Sequence, residues 1–75
     1  MAEYRDRIHA DPSILSGKPV IKGTRISVEL VLSRLSEGAS TQALLEAWPN
    51  LSAADIQAAL AYSAAVIAHE ELLVG

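Results

Sequence analysis

The chain has no cysteine and no phenylalanine, and its only aromatic residues are one tryptophan and two tyrosines. Without cysteine it can form neither disulfides nor Cys-based zinc sites, and it has no thiol nucleophile; the same lack fits a reducing compartment. No stretch approaches the roughly 18 apolar residues of a membrane span, and the N-terminal Met1-Ala2-Glu3-Tyr4-Arg5-Asp6 lacks the apolar centre of a signal peptide. A cytoplasmic protein with no membrane association is therefore expected. What remains is aliphatic: 13 Ala and 21 Ile, Leu and Val in 75 residues. Ordering so short a chain costs about 1.5 kcal/mol per residue, which a small aliphatic core offsets only narrowly. Self-association or docking on a partner is the expected supplement. The length allows one domain, residues 1–75, with a short β element and motif loop over 1–26 and a helical part over 27–75.

Basic residues are absent from the entire second half. All six (Arg5, Arg7, Lys18, Lys22, Arg25, Arg34) lie in the first 34 positions beside four acidic ones, a net +2. The remainder carries Glu37, Glu46, Asp55, Glu70 and Glu71 unopposed, a net −5. The first segment suits a phosphate backbone or an acidic surface, whereas the second repels phosphate unless it faces away.

Local patterns change near Ile26. Before it, Pro12, Gly17, Pro19 and Gly23 interrupt any helical period, and the β-favouring stretches Ile8–Ala10 and Val20–Lys22 predict two small strands around a turn at Asp11–Gly17. After it, three helices are expected. The first has Ser27 as N-cap, runs to about Glu37 with a Val28, Val31, Leu32, Leu35 stripe, and stops at Gly38. Ser40 caps a second helix, Thr41 to about Trp48, facing inward through Ala43, Leu44 and Ala47. The third opens on Ser52-Ala53-Ala54-Asp55, a capping-box spacing with Asp in place of Glu, and continues to about Leu72. Its expected buried stripe is Ile56, Leu60 and Ile67 with Ala59, Ser63 and Ala64 between. A helix, then two more around the Trp48-Pro49-Asn50-Leu51 corner, is the order of a three-helix helix-turn-helix domain; any small three-helix bundle fits the same pattern.

Catalytic and cofactor motifs fail one by one. Gly17-Lys18 lacks the earlier glycine and following hydroxyl of a phosphate loop. His69-Glu70 lacks the second histidine one turn on that a helical zinc site needs, because Leu73 stands there. His9 with Asp11 supplies two ligands, short of a metal site, and reads as a surface histidine on an edge strand. The serines serve as caps or surface positions, with no nucleophile elbow around any of them. No catalytic residue, metal or cofactor is assigned. As a DNA reader the third helix would expose Ala53, Ala54, Asp55, Gln57, Ala58 and Ala61 near its start, of which Gln57 alone could make a bidentate base contact. Phosphate contacts would have to come from Lys18, Lys22, Arg25 and Arg34, for which surface residues and ion-pair partners are the competing reading.

The segment Gly17-Lys18-Pro19-Val20-Ile21-Lys22-Gly23-Thr24-Arg25-Ile26 stands apart, with two glycines able to adopt positive φ, a proline that restrains Lys18, and Val20 and Ile21 directed to opposite faces. It serves at least partly as a connector that pins a hairpin onto the first helix, with Ile21 and Ile26 closing the core. Together with Asp11-Pro12, Gly38-Ala39-Ser40, Trp48-Pro49-Asn50-Leu51-Ser52 and Asp55-Ile56, this segment resembles the small bacterial family called domain of unknown function 433. The resemblance runs from about Arg7 to Ala68, and the family motif falls on Gly17, Lys18, Pro19, Ile21, Gly23, Thr24 and Arg25. It implies a mainly α, homeodomain-like helix-turn-helix fold with a short N-terminal β element. It also implies an antitoxin of the VapB type that neutralises a PIN-like nuclease toxin and represses its own operon. Expected partners are thus a nuclease-like toxin, operator DNA and a second copy, the last through the N-terminal element. Toxin contacts are expected from Val66, Glu70, Glu71, Leu72 and Leu73, since carboxylates suit a surface that holds RNA phosphates. A stand-alone dimeric DNA-binding regulator is the alternative.

Overall fold

The structure, a computed structural model, describes the backbone of residues 4–74 and the side chains of residues 4–68. It is mainly α: three helices preceded by a two-stranded hairpin. Strands β1 (Ile8–His9) and β2 (Val20–Ile21) pair antiparallel, Ile8 opposite Ile21 and His9 opposite Val20. Helices α1 (Val28–Ser36), α2 (Thr41–Ala47) and α3 (Ala53–Val74) follow.

β2 is occupied on both edges. Opposite β1, the Ile21 N–H donates to the Ile26 carbonyl at 2.9 Å, the Val28 N–H donates to the Pro19 carbonyl at 2.9 Å, and Val20 bridges Ser27. Val20 and Ile21 alternate faces as expected of a strand, yet both are buried, at 0% and 2% exposure. Ile21 joins Val28, Val31, Leu44, Leu51, Ile56 and Ala59 in the core, with Ile8, Ile26, Leu32 and Leu35 packed against it.

The helix boundaries follow from local chemistry. Ser27 Oγ accepts from the Leu30 N–H and Ser40 Oγ from the Ala43 N–H, so both expected N-caps form. At the end of α1 the Ala39 N–H reaches the Arg34 carbonyl and the Gly38 N–H the Leu35 carbonyl. This is a Schellman closure, and it requires the positive φ of +100° that Gly38 supplies. α3 starts in a reciprocal capping box: the Asp55 N–H donates to Ser52 Oγ at 3.2 Å, and the Ser52 N–H donates to Asp55 Oδ2 at 3.0 Å. Tyr4 packs edge-on against Tyr62 of α3, with ring centroids 5.5 Å apart, and so seats the N-terminal segment on that helix.

Three expectations are corrected. Ala43 and Ala47 of α2 are exposed, and Leu44 with the partly buried Leu45 makes that helix's inward face. In α3, Leu60 and Ile67 are 41% and 56% exposed and Ala64 is exposed too, whereas Ala58, expected outside, is buried at 1%. The buried arc of α3 is centred nearer Ala59 and Tyr62, which puts Leu60 at its margin. Ile67 shares the stripe of Ile56 but lies farther along, where the nine residues of α1 and seven of α2 no longer cover a helix of 22. Lastly, the expected Ile8–Ala10 and Val20–Lys22 strands shorten to two residues each because turns close on both sides.

Ile56, at 0% exposure, is one of the largest fully buried side chains and packs in the core with residues of all three helices. Ile56→Ala is expected to cost about 3 kcal/mol, read as a lowered urea midpoint at unchanged slope.

Candidate functional site

The conspicuous motif, Gly17 to Ile26, is mostly architecture. Leu15, Ser16 and Gly17 have φ of +49°, +59° and +87°, one left-handed turn that ends the loop from β1 and that the sequence signals at Gly17 alone. Pro19 offers its carbonyl to the Val28 N–H. Residues 21–24 form a tight turn in which the Thr24 N–H donates to the Ile21 carbonyl at 3.0 Å, and Gly23, at φ +81°, takes the position of a type II turn that demands a left-handed residue. Thr24 Oγ1 locks this turn, donating to the Ile21 carbonyl at 2.7 Å and accepting from the Ile26 N–H at 2.9 Å.

The rigid turn displays Lys22 and Arg25. Both are exposed, and neither makes an ion pair among the described residues. The other two expected phosphate contacts are placed differently. Lys18 Nζ binds Glu29 Oε1 at 2.9 Å, and Arg34 Nη1 lies 3.6 Å from Glu37 Oε1, about 8 Å further along α1 than Glu29. Lys22 and Arg25 thus lie exposed three residues apart at one turn, while Lys18 and Arg34 are each matched with a carboxylate. Such exposed pairs contribute only about 0–1 kcal/mol. The Lys18 ammonium holds the Glu29 carboxyl below its usual range.

At the base of the turn, Arg7 sits across from Lys22, whose N–H donates to the Arg7 carbonyl at 2.7 Å. Two cations side by side on adjacent strands repel. Arg7 is offset by Asp55, to whose Oδ1 it donates at 3.0 Å. Asp55, with 14% of its side chain exposed, is thus shared between the α3 capping box and Arg7. Partial burial acts to raise its pKa. The Ser52 amide and hydroxyl and the Arg7 guanidinium together outweigh that burial and hold the pKa below its ordinary value.

His9 Nε2 lies 3.8 Å from Asp11 Oδ2, and Asp11 Oδ1 is taken by the Ser13 N–H and hydroxyl at 2.8 and 2.7 Å. Those Ser13 bonds are the main reason the Asp11 carboxyl is held low. Among the described residues no three His, Asp or Glu side chains gather as a metal set, and every buried side-chain polar atom has a hydrogen-bond partner. No described helix is long and apolar enough to cross a membrane.

The sequence reading missed an open groove of about 620 Å³ between α1 and α3. Val28 and Leu32 form one wall, Tyr62, Val66 and Ile67 the other, with Pro19 and three serines between. Its signal was present: residues 56–68 of α3 carry no charge at all, and apolar residues occur all round the helix. Val66, one expected toxin contact, is 42% exposed on this groove; the side chains of Glu70, Glu71, Leu72 and Leu73 lie outside the described residues.

Residues 8–63 match the family model described as "Protein of unknown function (DUF433)". Over 65 residues, 87% of the chain, the sequence is 40% identical to "Uncharacterized protein y4eO" of Sinorhizobium fredii, of whose length it spans 29%. The crystal structure of a DUF433 member protein from Anabaena variabilis superposes with a TM-score of 0.74 at 33% identity. That match covers 77% of this chain and 57% of the other.

Two outcomes follow from the locked turn and the shared carboxylate. Thr24→Val removes both Oγ1 bonds and should cost about 1–2 kcal/mol, whereas Arg25→Ala, at an exposed position, should stay within about 0.5 kcal/mol; urea unfolding separates them. Because the Asp55 pKa is lower folded than unfolded, its stabilisation is complete above its ordinary value and is lost as pH falls through the lowered one. Asp55→Asn should cost about 1–2 kcal/mol at neutral pH, with the difference from wild type shrinking in acid.

Proposed function

The chain belongs to the DUF433 family of proteins of unknown function, and from that premise we propose that it is a non-enzymatic binding module, the cytoplasmic antitoxin of a type II toxin–antitoxin pair. Its partner in this reading is a small nuclease-like toxin. The observation that carries the proposal is the far half of α3, which extends past the helices that cover its first half and is apolar, with Val66 exposed and Glu70 and Glu71 toward its end. No lysine or arginine follows Arg34 in the sequence. A surface that holds RNA phosphates is basic, and an acidic helix end complements it while its apolar flank supplies burial. Contacts at Glu70, Glu71, Leu72 and Leu73 would block such a surface sterically and electrostatically.

The second reading, a stand-alone dimeric regulator that binds operator DNA, is favoured by Lys22 and Arg25, which have no carboxylate partner among the described residues and stand on a locked turn. Here α2, the Trp48–Ser52 corner and α3 act as a homeodomain-like helix-turn-helix. Asp55, engaged by Ser52 and Arg7, does not stand free to repel phosphate. The exposed start of α3 offers Gln57 as the one side chain suited to adenine. The same contacts would serve an antitoxin that represses its own operon.

Co-expression with the product of the adjacent gene should yield a complex that survives purification and restores growth; no complex and no rescue would sink the antitoxin proposal. For the DNA arm, the double variant Lys22→Ala, Arg25→Ala should weaken binding to the chain's own promoter and reduce the salt-dependence slope by about 2. Binding that is undetectable or indifferent to salt rejects it.

A further inference from the structure

We infer that the groove between α1 and α3 is a self-association surface, filled in solution by α3 of a second copy lying antiparallel to the first. The inference concerns the isolated chain and does not rest on the antitoxin reading.

The surface area argues for a missing partner of a particular size. The chain exposes 5098 Å², against about 4,450 Å² for a compact monomer of its mass. The excess, about 650 Å², falls within the roughly 600–1,000 Å² that each partner gives up in a standard protein interface. The radius of gyration, 12.6 Å, likewise exceeds the roughly 11.4 Å of a compact domain of this length. α3 is the longest of the three helices. At 22 residues it is about 33 Å long, and its middle lies beside the groove with Val66 and Ile67 half-exposed. A helix that is apolar all round is stable only where something covers all of it.

Charge selects the occupant. The groove holds one carboxylate, Glu29, which Lys18 already neutralises at 2.9 Å, and the thirteen residues 56–68 of α3 bring none. An acidic or basic partner finds nothing there to pair with, whereas two copies can approach without repulsion. Val28 and Leu32 line the groove on its α1 side and Val66 and Ile67 on its α3 side, so both sides are apolar and the patch can pair with a copy of itself, as a two-fold interface must. Direction follows from the acidic end. Parallel helices would place Glu70 and Glu71 of both copies together; antiparallel helices separate them. Dimerisation accordingly lies on α1 and α3 rather than on the N-terminal element, and the turn bearing Lys22 and Arg25 stays open.

Sedimentation velocity on the full chain, from micromolar to submillimolar concentration, should show a dimer whose dissociation constant is insensitive to salt. Ile67→Glu should raise that constant at least about thirtyfold with helix content unchanged, while Leu60→Glu, outside the groove, should leave it within a few-fold. Because the chain has no native cysteine, Ser63→Cys reads the same contact without a destabilising charge: mild oxidation should give a covalent dimer, and Ala54→Cys should not. A wild-type chain that is monomeric throughout, a dimer indifferent to Ile67→Glu, or equal cross-linking at positions 54 and 63 overturns the inference. A monomer that nonetheless forms an Ile67→Glu-sensitive complex with the adjacent gene product also overturns it, and assigns the groove to that protein.

Discussion

The two residues of β2 hold the rest of the molecule in place. Val20 and Ile21 are bonded to β1 on one side and to residues 26–28 on the other, so the same short strand fixes the N-terminal segment and the start of α1. Ile21 then enters the core among residues of all three helices, and Ser27, bridged to Val20, caps α1. A hairpin this small is not stable in isolation. It persists because Ile8 and Ile21 lie against the helices and because Arg7 reaches Asp55 at the head of α3, so strand pairing and helix capping support each other. Most of the family motif is explained by this junction: Gly23 and Thr24 reverse the chain between the two paired stretches, and Pro19 and Ile21 fill it.

Charge in the folded chain is sorted more finely than its distribution along the sequence suggests. Lys18, Arg34 and Arg7 each meet a carboxylate, which leaves the basic character concentrated where the turn displays Lys22 and Arg25. Two of the five acidic residues that follow Arg34, Glu70 and Glu71, belong to the last turns of α3. Between them runs a neutral apolar face. Surfaces of three different chemistries thus share a chain of 75 residues.

How much of this was legible in the sequence depended on the range of the interaction. Ser27, Ser40, the Ser52–Asp55 pair and Gly38 were readable because caps are made by residues three or four apart, and the observed helices begin and end where those residues say. The family resemblance, carried by the Gly17–Ile26 segment, was readable for a similar reason: the glycines, proline and threonine meet local backbone demands. Leu60 and Ile67 were misjudged because apolar spacing reports which face of a helix could be buried, not how far its neighbours extend. The pairing of Lys18 with Glu29 joins residues 11 apart through a turn whose path the sequence does not specify. Leu15 and Ser16 gave no sign of their left-handed backbone, since neither residue type favours it.

Because β2 is flanked on both sides, the hairpin has almost no backbone left to offer. The outer edge of β1 is two residues long, and the stretch opposite turns directly into α1. An intruding strand would find too few unpaired amides and carbonyls to extend the sheet, so neither β-addition by a peptide nor edge-to-edge aggregation has a template here. Whatever binds this protein must recognise it by side chains and helix surfaces, which makes its specificity a matter of sequence at a handful of exposed positions rather than of main-chain geometry shared with any extended peptide.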